Sequence, residues 1–205
     1  GSRAVLSVES GERGSGTRWL ALLEDLSRRG MNAPRIVVAD PALGVWSAID
    51  ELGWTCARQY CWSYQAAEVL AALPRERRAR AAVLLRGVAE SDSRTVAKAQ
   101  RTLFVKRCGT RHAAAGGLLL ANWKRLSSYQ AFPKEHWSDL RTADAVSAPL
   151  ASIRLRAAKP KAGRPFPHLE GTLWRLLSAA FRGLPGLDAL ELVPSLVRGQ
   201  PIAQE

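Results

Sequence analysis

Cysteine and histidine, the side chains that most often bind zinc or form covalent links, are scarce in this sequence. The 205 residues include three cysteines and three histidines, and Cys56, Cys61 and Cys108 contain no C-x-x-C pair. An odd number of cysteines without this spacing predicts neither a disulfide framework nor a zinc site. We therefore expect free thiols, as in proteins of a reducing compartment.

Long hydrophobic runs are also missing. Apolar stretches such as "GGLLLANW" fall well short of the roughly twenty apolar residues that span a bilayer. The first residues do not show the basic, apolar and small-residue series of a signal peptide. The sequence therefore predicts a cytoplasmic protein without a membrane partner.

Acidic residues are few relative to basic ones. Eighteen Asp and Glu stand against thirty Lys and Arg, which gives a net charge of +12 and a pI of about 10.6. Such an excess indicates a polyanionic partner, with nucleic acid as the leading candidate. A basic surface that serves only solubility is the alternative that composition leaves open.

Hydrophobic patterning predicts an α/β chain that is predominantly helical. Short apolar or β-branched segments indicate three strands, at residues 3–9, 35–39 and 55–62. Apolar spacing of i, i+3, i+4 and i+7 predicts an amphipathic helix over residues 17–29, capped by Thr17 and ended by Gly30. After Pro74 the chain is rich in Ala, Leu and Arg, which predicts helices, and a further helix is predicted over residues 169–181.

Four blocks of the sequence are similar to consecutive blocks of one protein family. They read "VLSVESGERGSGTRWLALLEDLSRRG", "RIVVADPALGVWSAIDE", "RQYCWSYQAAEVLAALP" and "YQAFPKEHWSDLRTADAVSAPLASIRLR". In order and spacing they resemble Mutator-type bacterial insertion-sequence transposases from Ala4 to about Arg156, and more loosely to the end. Four blocks in register indicate common descent far more strongly than any one of them.

The resemblance implies an RNase H-like catalytic domain of the DDE type, interrupted by an all-α insertion. In such a site three carboxylates hold two divalent metal ions about 4 Å apart, which activate the nucleophile for phosphoryl transfer on DNA. Mg²⁺ is the implied cofactor because it prefers oxygen ligands. DNA is the implied partner, so the cytoplasmic protein is expected to associate with the bacterial nucleoid when bound.

The resemblance also divides the chain into four regions. The predicted regions are a partial RNase H-like core at 1–74, the all-α insertion at 75–135, a return to the core at 136–182 with the helix of the final catalytic acid, and an irregular tail at 183–205. The core is predicted to be incomplete, with about three strands. Because the strands that would lie in the middle of the family's sheet are not in this sequence, we expect a marginal or non-native core with an exposed strand edge.

Asp40 matches the family's second catalytic aspartate, directly after the strand "RIVVA". The resemblance gives it a metal-binding role, while a turn or cap residue before Pro41 is the alternative. The first aspartate would lie upstream of Arg3, and the final glutamate position is occupied by Ser147. A hydroxyl carries no charge and binds Mg²⁺ weakly. Asp144 lies three residues earlier and could approach the same helix face.

Two further departures from the family pattern involve Tyr64 and Pro149. The family's cysteine-x-x-histidine reads "CWSY" here, so Cys61 is kept while Tyr64 replaces the histidine. A proline at the fifth position of a helix would remove a backbone donor and clash with the preceding turn. We therefore predict that Ser147 is the N-cap and that the helix starts near Ala148, with Pro149 in its first turn.

The predicted DNA-binding segment is a basic, proline-containing stretch without an acid. Its cations are Arg154, Arg156, Lys159, Lys161 and Arg164. Phosphate contacts by this segment would give a salt-dependent affinity, and a solvated connector is the alternative. A second basic group comprises Arg75, Arg77, Arg78 and Arg80, for which ordinary exposed helix positions are the alternative. Neither group resembles a base-reading motif, so binding is expected to be non-specific.

Three functions remain open from the sequence. The first is a transposase that cleaves DNA and transfers strands, although the residue at Ser147 and the missing first aspartate leave enzymatic activity uncertain. The second is a truncated, catalytically inactive protein that binds DNA without sequence preference, self-associates, or co-assembles with a full-length transposase and inhibits it. The third is a decayed product without function.

Overall fold

The computed structural model describes residues 3–9, 11–147, 150–151, 169–182 and 186–194. The two strands are β1 (Ile36–Ala39) and β2 (Ala57–Tyr60). The first helices are α1 (Gly16–Arg28), α2 (Val45–Glu51), α3 (Trp62–Ala71), α4 (Arg75–Ala89) and α5 (Arg94–Phe104). They are followed by a π-helical segment (Val105–Gly109), α6 (Ala113–Ala121), α7 (Trp123–Leu126), 3₁₀ turns (Ser128–Ala131 and Lys134–His136) and α8 (Trp137–Arg141). The last helices are α9 (described at residues 144–147 and 150–151) and α10 (Leu169–Arg182), before a 3₁₀ turn (Leu190–Leu192).

The chain forms two compact units, each built from several segments. Unit 1 comprises Gly1–Pro34, Ala42–Thr55 and Asp144–Glu191, and unit 2 comprises Arg35–Pro41, Cys56–Ala143 and Leu192–Glu205. The predicted domain boundaries follow the family resemblance and stay predictions. None of the helices in the described ranges is long and apolar enough to cross a membrane.

The described sheet consists of β1 and β2, which pair in parallel from Ile36 opposite Ala57 to Ala39 opposite Tyr60. Two predicted strands are therefore confirmed, with narrower bounds. The strand predicted at residues 3–9 is wrong, because these residues contain no β-structure. Their apolar alternation suits a strand, but a strand also needs a hydrogen-bonded neighbour, which no described strand provides. The predominance of helix is confirmed.

Unit 1 contains α1 packed against α2. The N-cap of α1 is Ser15, whose side chain accepts a hydrogen bond from the backbone N–H of Arg18, so the cap lies two residues before the predicted Thr17. Gly30 follows the helix with a positive φ of 95°, as expected for a residue that ends a helix. Leu23 and Leu26 are the buried residues of α1, which confirms the predicted apolar face.

Unit 2 contains the main hydrophobic core, built by α3 to α6 and the turns before α8. Its buried members are Trp62, Val69, Leu73, Ala81, Leu85, Val88, Phe104, Ala115, Leu119, Leu126, Tyr129 and Trp137. The helices predicted after Pro74 are confirmed, since α4 to α7 cover most of residues 75–126. The marginal core stays a prediction, which a sharp, cooperative thermal unfolding transition would contradict.

Candidate active site

Asp40 and Cys61 directly follow β1 and β2 at the carboxyl ends of the two strands. The backbone N–H of Cys61 donates to the carbonyl of Ala39 at 2.9 Å, so the ladder continues one step beyond β2. Asp40 is 7% exposed and Cys61 is fully buried. The carboxyl ends of parallel strands are where α/β proteins hold ligands. The structure thus places Asp40 at the strand end where the sequence predicted it, and its role there stays a prediction.

The thiol of Cys61 holds the segment that leads into α9. The backbone N–H of Ala143 donates to Sγ of Cys61 at 3.2 Å, and Ala143 directly precedes the first residue of α9. A thiol sulfur is a weak acceptor, so this hydrogen bond contributes little to the free energy of folding. Its effect is to position the backbone of Ala143. Tyr64, at the family's histidine position, is half-buried on α3.

Ser147 is the fourth residue of α9 and not its N-cap. The prediction that the helix starts near Ala148 is therefore wrong, because residues 144–147 are already helical. The earlier start places Asp144 in the first turn, where the helix dipole favours a negative charge. Oγ of Ser147 lies 3.4 Å from Oδ1 of Asp144, a long and weak hydrogen bond. Ala148 and Pro149 lie outside the described residues.

The described residues do not fit the two-metal site that the family resemblance implies. Within the described ranges, no three side chains of the His, Cys, Asp and Glu types lie close enough together to hold a metal ion. Magnesium sites in proteins rely on carboxylates and other oxygen ligands, and a two-metal site shares several of them. Mg²⁺ binding by Asp40 therefore stays a prediction.

A buried glutamine fixes β2 to the segment that follows α7. Nε2 of Gln59 donates to the carbonyls of Tyr60 at 2.7 Å and Leu126 at 3.1 Å, and its Oε1 accepts from the backbone N–H of Tyr129 at 2.9 Å. Nε1 of Trp62 donates to the same carbonyl of Leu126 at 2.8 Å. Gln59 is fully buried, so these bonds replace its water contacts. This residue was not predicted from the sequence. Its position as a polar side chain within a predicted strand is the pattern that could have indicated a buried hydrogen-bonding role.

A second buried network surrounds the hydroxyl of Tyr129. This hydroxyl donates to the carbonyl of Ala89 at 3.1 Å, and the same carbonyl accepts from Nη1 of Arg141 at 3.0 Å. Burial raises the pKa of Tyr129 above its ordinary value of 10.0, while the hydrogen bond from Gln130 and the charge of Arg141 act in the opposite direction. The network joins α4 to α8 inside unit 2.

The raised pKa of Tyr129 predicts a pH-dependent stability. In the unfolded chain this tyrosine loses its proton near its ordinary pKa of 10.0, whereas the folded protein holds the proton to higher pH. Its contribution is therefore complete below about pH 10 and is lost as the pH rises through the raised pKa. We expect the free energy of unfolding, measured with urea, to fall above about pH 10, and to fall less steeply in Tyr129→Phe.

The Tyr129→Phe variant should also lose about 1 kcal/mol at neutral pH, because the Ala89 carbonyl loses one of its two donors. The informative quantity is the difference in slope above about pH 10. Parallel declines in the wild type and the variant would contradict the prediction.

The basic groups predicted from the sequence have different outcomes. The segment from Arg154 to Arg164 lies outside the described residues, so its DNA-binding role stays a prediction. In the second group, Arg78 donates to the backbone carbonyls of Leu73 at 3.0 Å and Ala71 at 3.4 Å, at the end of α3. The guanidinium of Arg78 therefore binds backbone carbonyls at the C-terminal end of α3. Arg75, Arg77 and Arg80 are exposed on α4.

The family model and the individual proteins that match this chain are all described as transposases. The family model described as "Transposase, Mutator family" matches residues 1–184. The transposase for insertion sequence element IST2 of Acidithiobacillus ferrooxidans is 29% identical over 200 residues, which cover 97% of this chain and 68% of that protein. The transposase for IS6120 of Mycolicibacterium smegmatis is 29% identical over 198 residues, covering 97% of this chain and 61% of the relative.

A third relative matches a smaller part of both proteins. The transposase for ISRM5 of Rhizobium meliloti (strain 1021) is 26% identical over 179 residues, which cover 87% of this chain and 44% of that protein. The chain thus spans between 44% and 68% of the length of these three relatives.

Proposed function

We propose that this chain, which belongs to the Mutator family of transposases, acts in DNA transposition by binding DNA without cleaving it on its own. Within this proposal β1 and β2 are part of an RNase H-like sheet, and Asp40 is one carboxylate of its catalytic set. The observation that carries the proposed role in transposition is the match to the Mutator family model over residues 1–184. The buried position of Asp40 at the carboxyl end of β1 supports its proposed place in the catalytic set. DNA is the proposed partner because the chain carries a net charge of +12.

Inactivity of the chain alone is proposed from the residue at the final acid position. Ser147 supplies a neutral hydroxyl there, and its Oγ lies beside the carboxylate of Asp144. A hydroxyl binds Mg²⁺ more weakly than a carboxylate and adds no charge to stabilise the ion. Phosphoryl transfer by the two-metal mechanism requires both metal ions to be held against the attacking and leaving oxygens.

A second candidate function follows from the same residue. A family member that binds DNA but lacks the final acid would occupy DNA, or join an intact transposase, without completing the reaction. We propose this inhibitory role as the alternative to participation in an active assembly. Adding the chain to an active transposase should then lower excision of its element, whereas unchanged excision would exclude inhibition.

The test of the proposed function combines a cleavage assay with a binding assay. Supercoiled plasmid is incubated with Mg²⁺ or Mn²⁺ and the wild type, Asp40→Ala, or Asp92→Ala as an exposed acidic control. We expect no metal-dependent nicking by any of the three. Nicking that disappears in Asp40→Ala but persists in Asp92→Ala would show that the chain is active by itself.

Binding is measured by titrating fluorescent duplexes of equal length and different sequence. We expect equal affinities for all duplexes and a linear fall of log K with log salt, with a slope of about −0.9 for each phosphate contact. No detectable binding, or a strong preference for one sequence, would contradict the proposal.

A further inference from the structure

A basic cleft lies between α4 and the segment that joins α5 to α6. Its volume is about 460 Å³. The basic cleft is defined by its basic lining residues, Arg77, Arg80, Lys106, Arg107, Arg111 and His112. All of them belong to unit 2. Among the described residues that line it, none is acidic.

The five arginine and lysine side chains of the basic cleft make no ion pair within the part of the chain that the structure describes. All five residues are exposed, so their charges face solvent. Like charges that converge on one concave surface repel each other and concentrate a positive potential there. An anionic ligand would relieve this repulsion, which is the physical reason to look for one.

The first wall of the basic cleft is one face of α4. Arg77 and Arg80 are three residues apart, a spacing that places two side chains on the same face of a helix. Arg78, between them, is held elsewhere by its bonds to the carbonyls of Leu73 and Ala71. Arg78 therefore binds the end of α3, whereas Arg77 and Arg80 line the basic cleft.

The opposite wall is the π-helical segment Val105–Gly109 and the turn after it. The backbone N–H of Thr110 donates to the carbonyl of Val105 at 3.1 Å, the wide bond of a π-helix, and such irregular turns often mark functional sites. Gly109 lies against Gly116 of α6, since a Cβ on Gly116 would be 2.9 Å from the Cα of Gly109. This close backbone contact fixes the wall that carries Lys106 and Arg107.

The chemistry of the lining indicates which part of a nucleic acid would bind. Arginine and lysine side chains contact phosphate oxygens, and such contacts carry no sequence information. Among the described residues that line the basic cleft there is no Phe, Tyr or Trp, and His112 is the one aromatic ring, so the lining favours phosphate contacts over the stacking of several bases. The floor contains the apolar residues Leu73, Ala81 and Leu84, and low-dielectric walls strengthen the field of the surrounding charges.

We infer that the basic cleft binds the phosphodiester backbone of DNA and is a contact surface distinct from the predicted segment Arg154 to Arg164. This inference rests on the proposed function, because it adds a second contact surface for the same partner. The five cations hold the backbone by charge and by hydrogen bonds to phosphate oxygens. Binding at this surface is independent of base sequence.

The experiment compares two triple variants that remove the same charge. The cleft variant is Arg77→Ser, Arg80→Ser, Lys106→Ser. The control variant is Arg86→Ser, Lys98→Ser, Lys124→Ser, which are exposed cations of unit 2 outside the basic cleft. We expect the cleft variant to lose about 3 from the slope of log K against log salt and on the order of 100-fold in affinity at about 0.1 M salt. The control should lose less than about 3-fold, because distant charges are screened.

Three further measurements separate direct contact from a loss of folding. All three cleft residues are exposed, so the cleft variant should keep the wild-type melting temperature. A charge-preserving variant, Arg77→Lys with Arg80→Lys, should retain most of the affinity because lysine also binds phosphate as a point charge. In the wild type, bound DNA should slow alkylation of Cys108, which lines the basic cleft, but not of Cys56.

The outcomes distinguish this inference from the proposed function. If the wild type binds DNA but the cleft and control variants lose the same affinity, or if DNA fails to protect Cys108, the inference is wrong while the proposed function stands. If the wild type does not bind DNA, both are wrong. A cleft variant that loses affinity for inorganic phosphate while keeping its affinity for DNA would also overturn the inference.

Discussion

Replacement of Gln59 by leucine is expected to lower the free energy of unfolding by about 3 kcal/mol. The two side chains have similar volumes, so the change tests the hydrogen bonds and leaves little cavity. Leucine cannot accept from the backbone N–H of Tyr129 or donate to the carbonyls of Tyr60 and Leu126. The N–H of Tyr129 is left without its partner in a buried position, and an unsatisfied buried group costs about 1–3 kcal/mol.

Urea unfolding monitored by tryptophan fluorescence measures this loss. Gln100→Leu is the matched control, because Gln100 is half-buried and its side chain forms no hydrogen bond among the described residues. The control should change the stability by less than about 0.5 kcal/mol. Equal effects of the two substitutions would show that the Gln59 network adds nothing beyond the burial of a side chain.

The second large effect is expected at Gly44, the N-cap of α2 in unit 1. A Cβ on Gly44 would lie 2.6 Å from both the backbone N of Gly16 and the backbone C of Ser15, and 2.8 Å from the carbonyl O of Gly14. These are main-chain atoms, so no side-chain rotation relieves the clash, and α1 must move away from α2. We expect Gly44→Ala to destabilise unit 1 by about 2–3 kcal/mol, as overpacking of a close contact does.

The backbone of Gly44 makes this substitution informative. Its φ of −66° and ψ of −6° are ordinary helical values, so the backbone of an alanine is not strained there, and the preference of an N-cap for glycine over alanine is a smaller effect than the clash. Gly14→Ala is the control, because nothing lies within 4 Å of its Cβ position. Hydrogen exchange of the α1 amides should accelerate in Gly44→Ala alone, and unchanged exchange would contradict a tight contact between α1 and α2.

Features set by neighbouring residues in the sequence could be predicted, and features set by distant residues could not. The apolar spacing of Leu23 and Leu26 identified α1, and the run before Asp40 identified β1. The strand predicted at residues 3–9 failed because a strand depends on a partner elsewhere in the chain. The predicted start of α9 was too late because it was chosen to place Pro149 in the first turn, where proline is tolerated. The helix dipole also favours Asp144 in the first turn, and the observed start satisfies that preference.

The candidate sites show the same division. Asp40 was found because the residues on both sides of it resemble one family block. Gln59 was missed because its partners, Leu126 and Tyr129, lie 67 and 70 residues later in the chain. One wall of the basic cleft could be predicted, because its α4 arginines form a group in the sequence. The other wall could not, because only folding brings the residues that follow α5 opposite these arginines.

The interleaved order of the two units limits how this protein can be dissected. Residues up to Pro34 belong to unit 1, β1 belongs to unit 2, and α2 belongs to unit 1 again. β2 and the helices up to Ala143 belong to unit 2, and the next segment of unit 1 begins at Asp144. During synthesis β1 therefore emerges well before its partner β2, and neither unit is finished when the ribosome has made the first half of the chain. A single protease cut or a simple deletion at one terminus therefore releases neither unit intact.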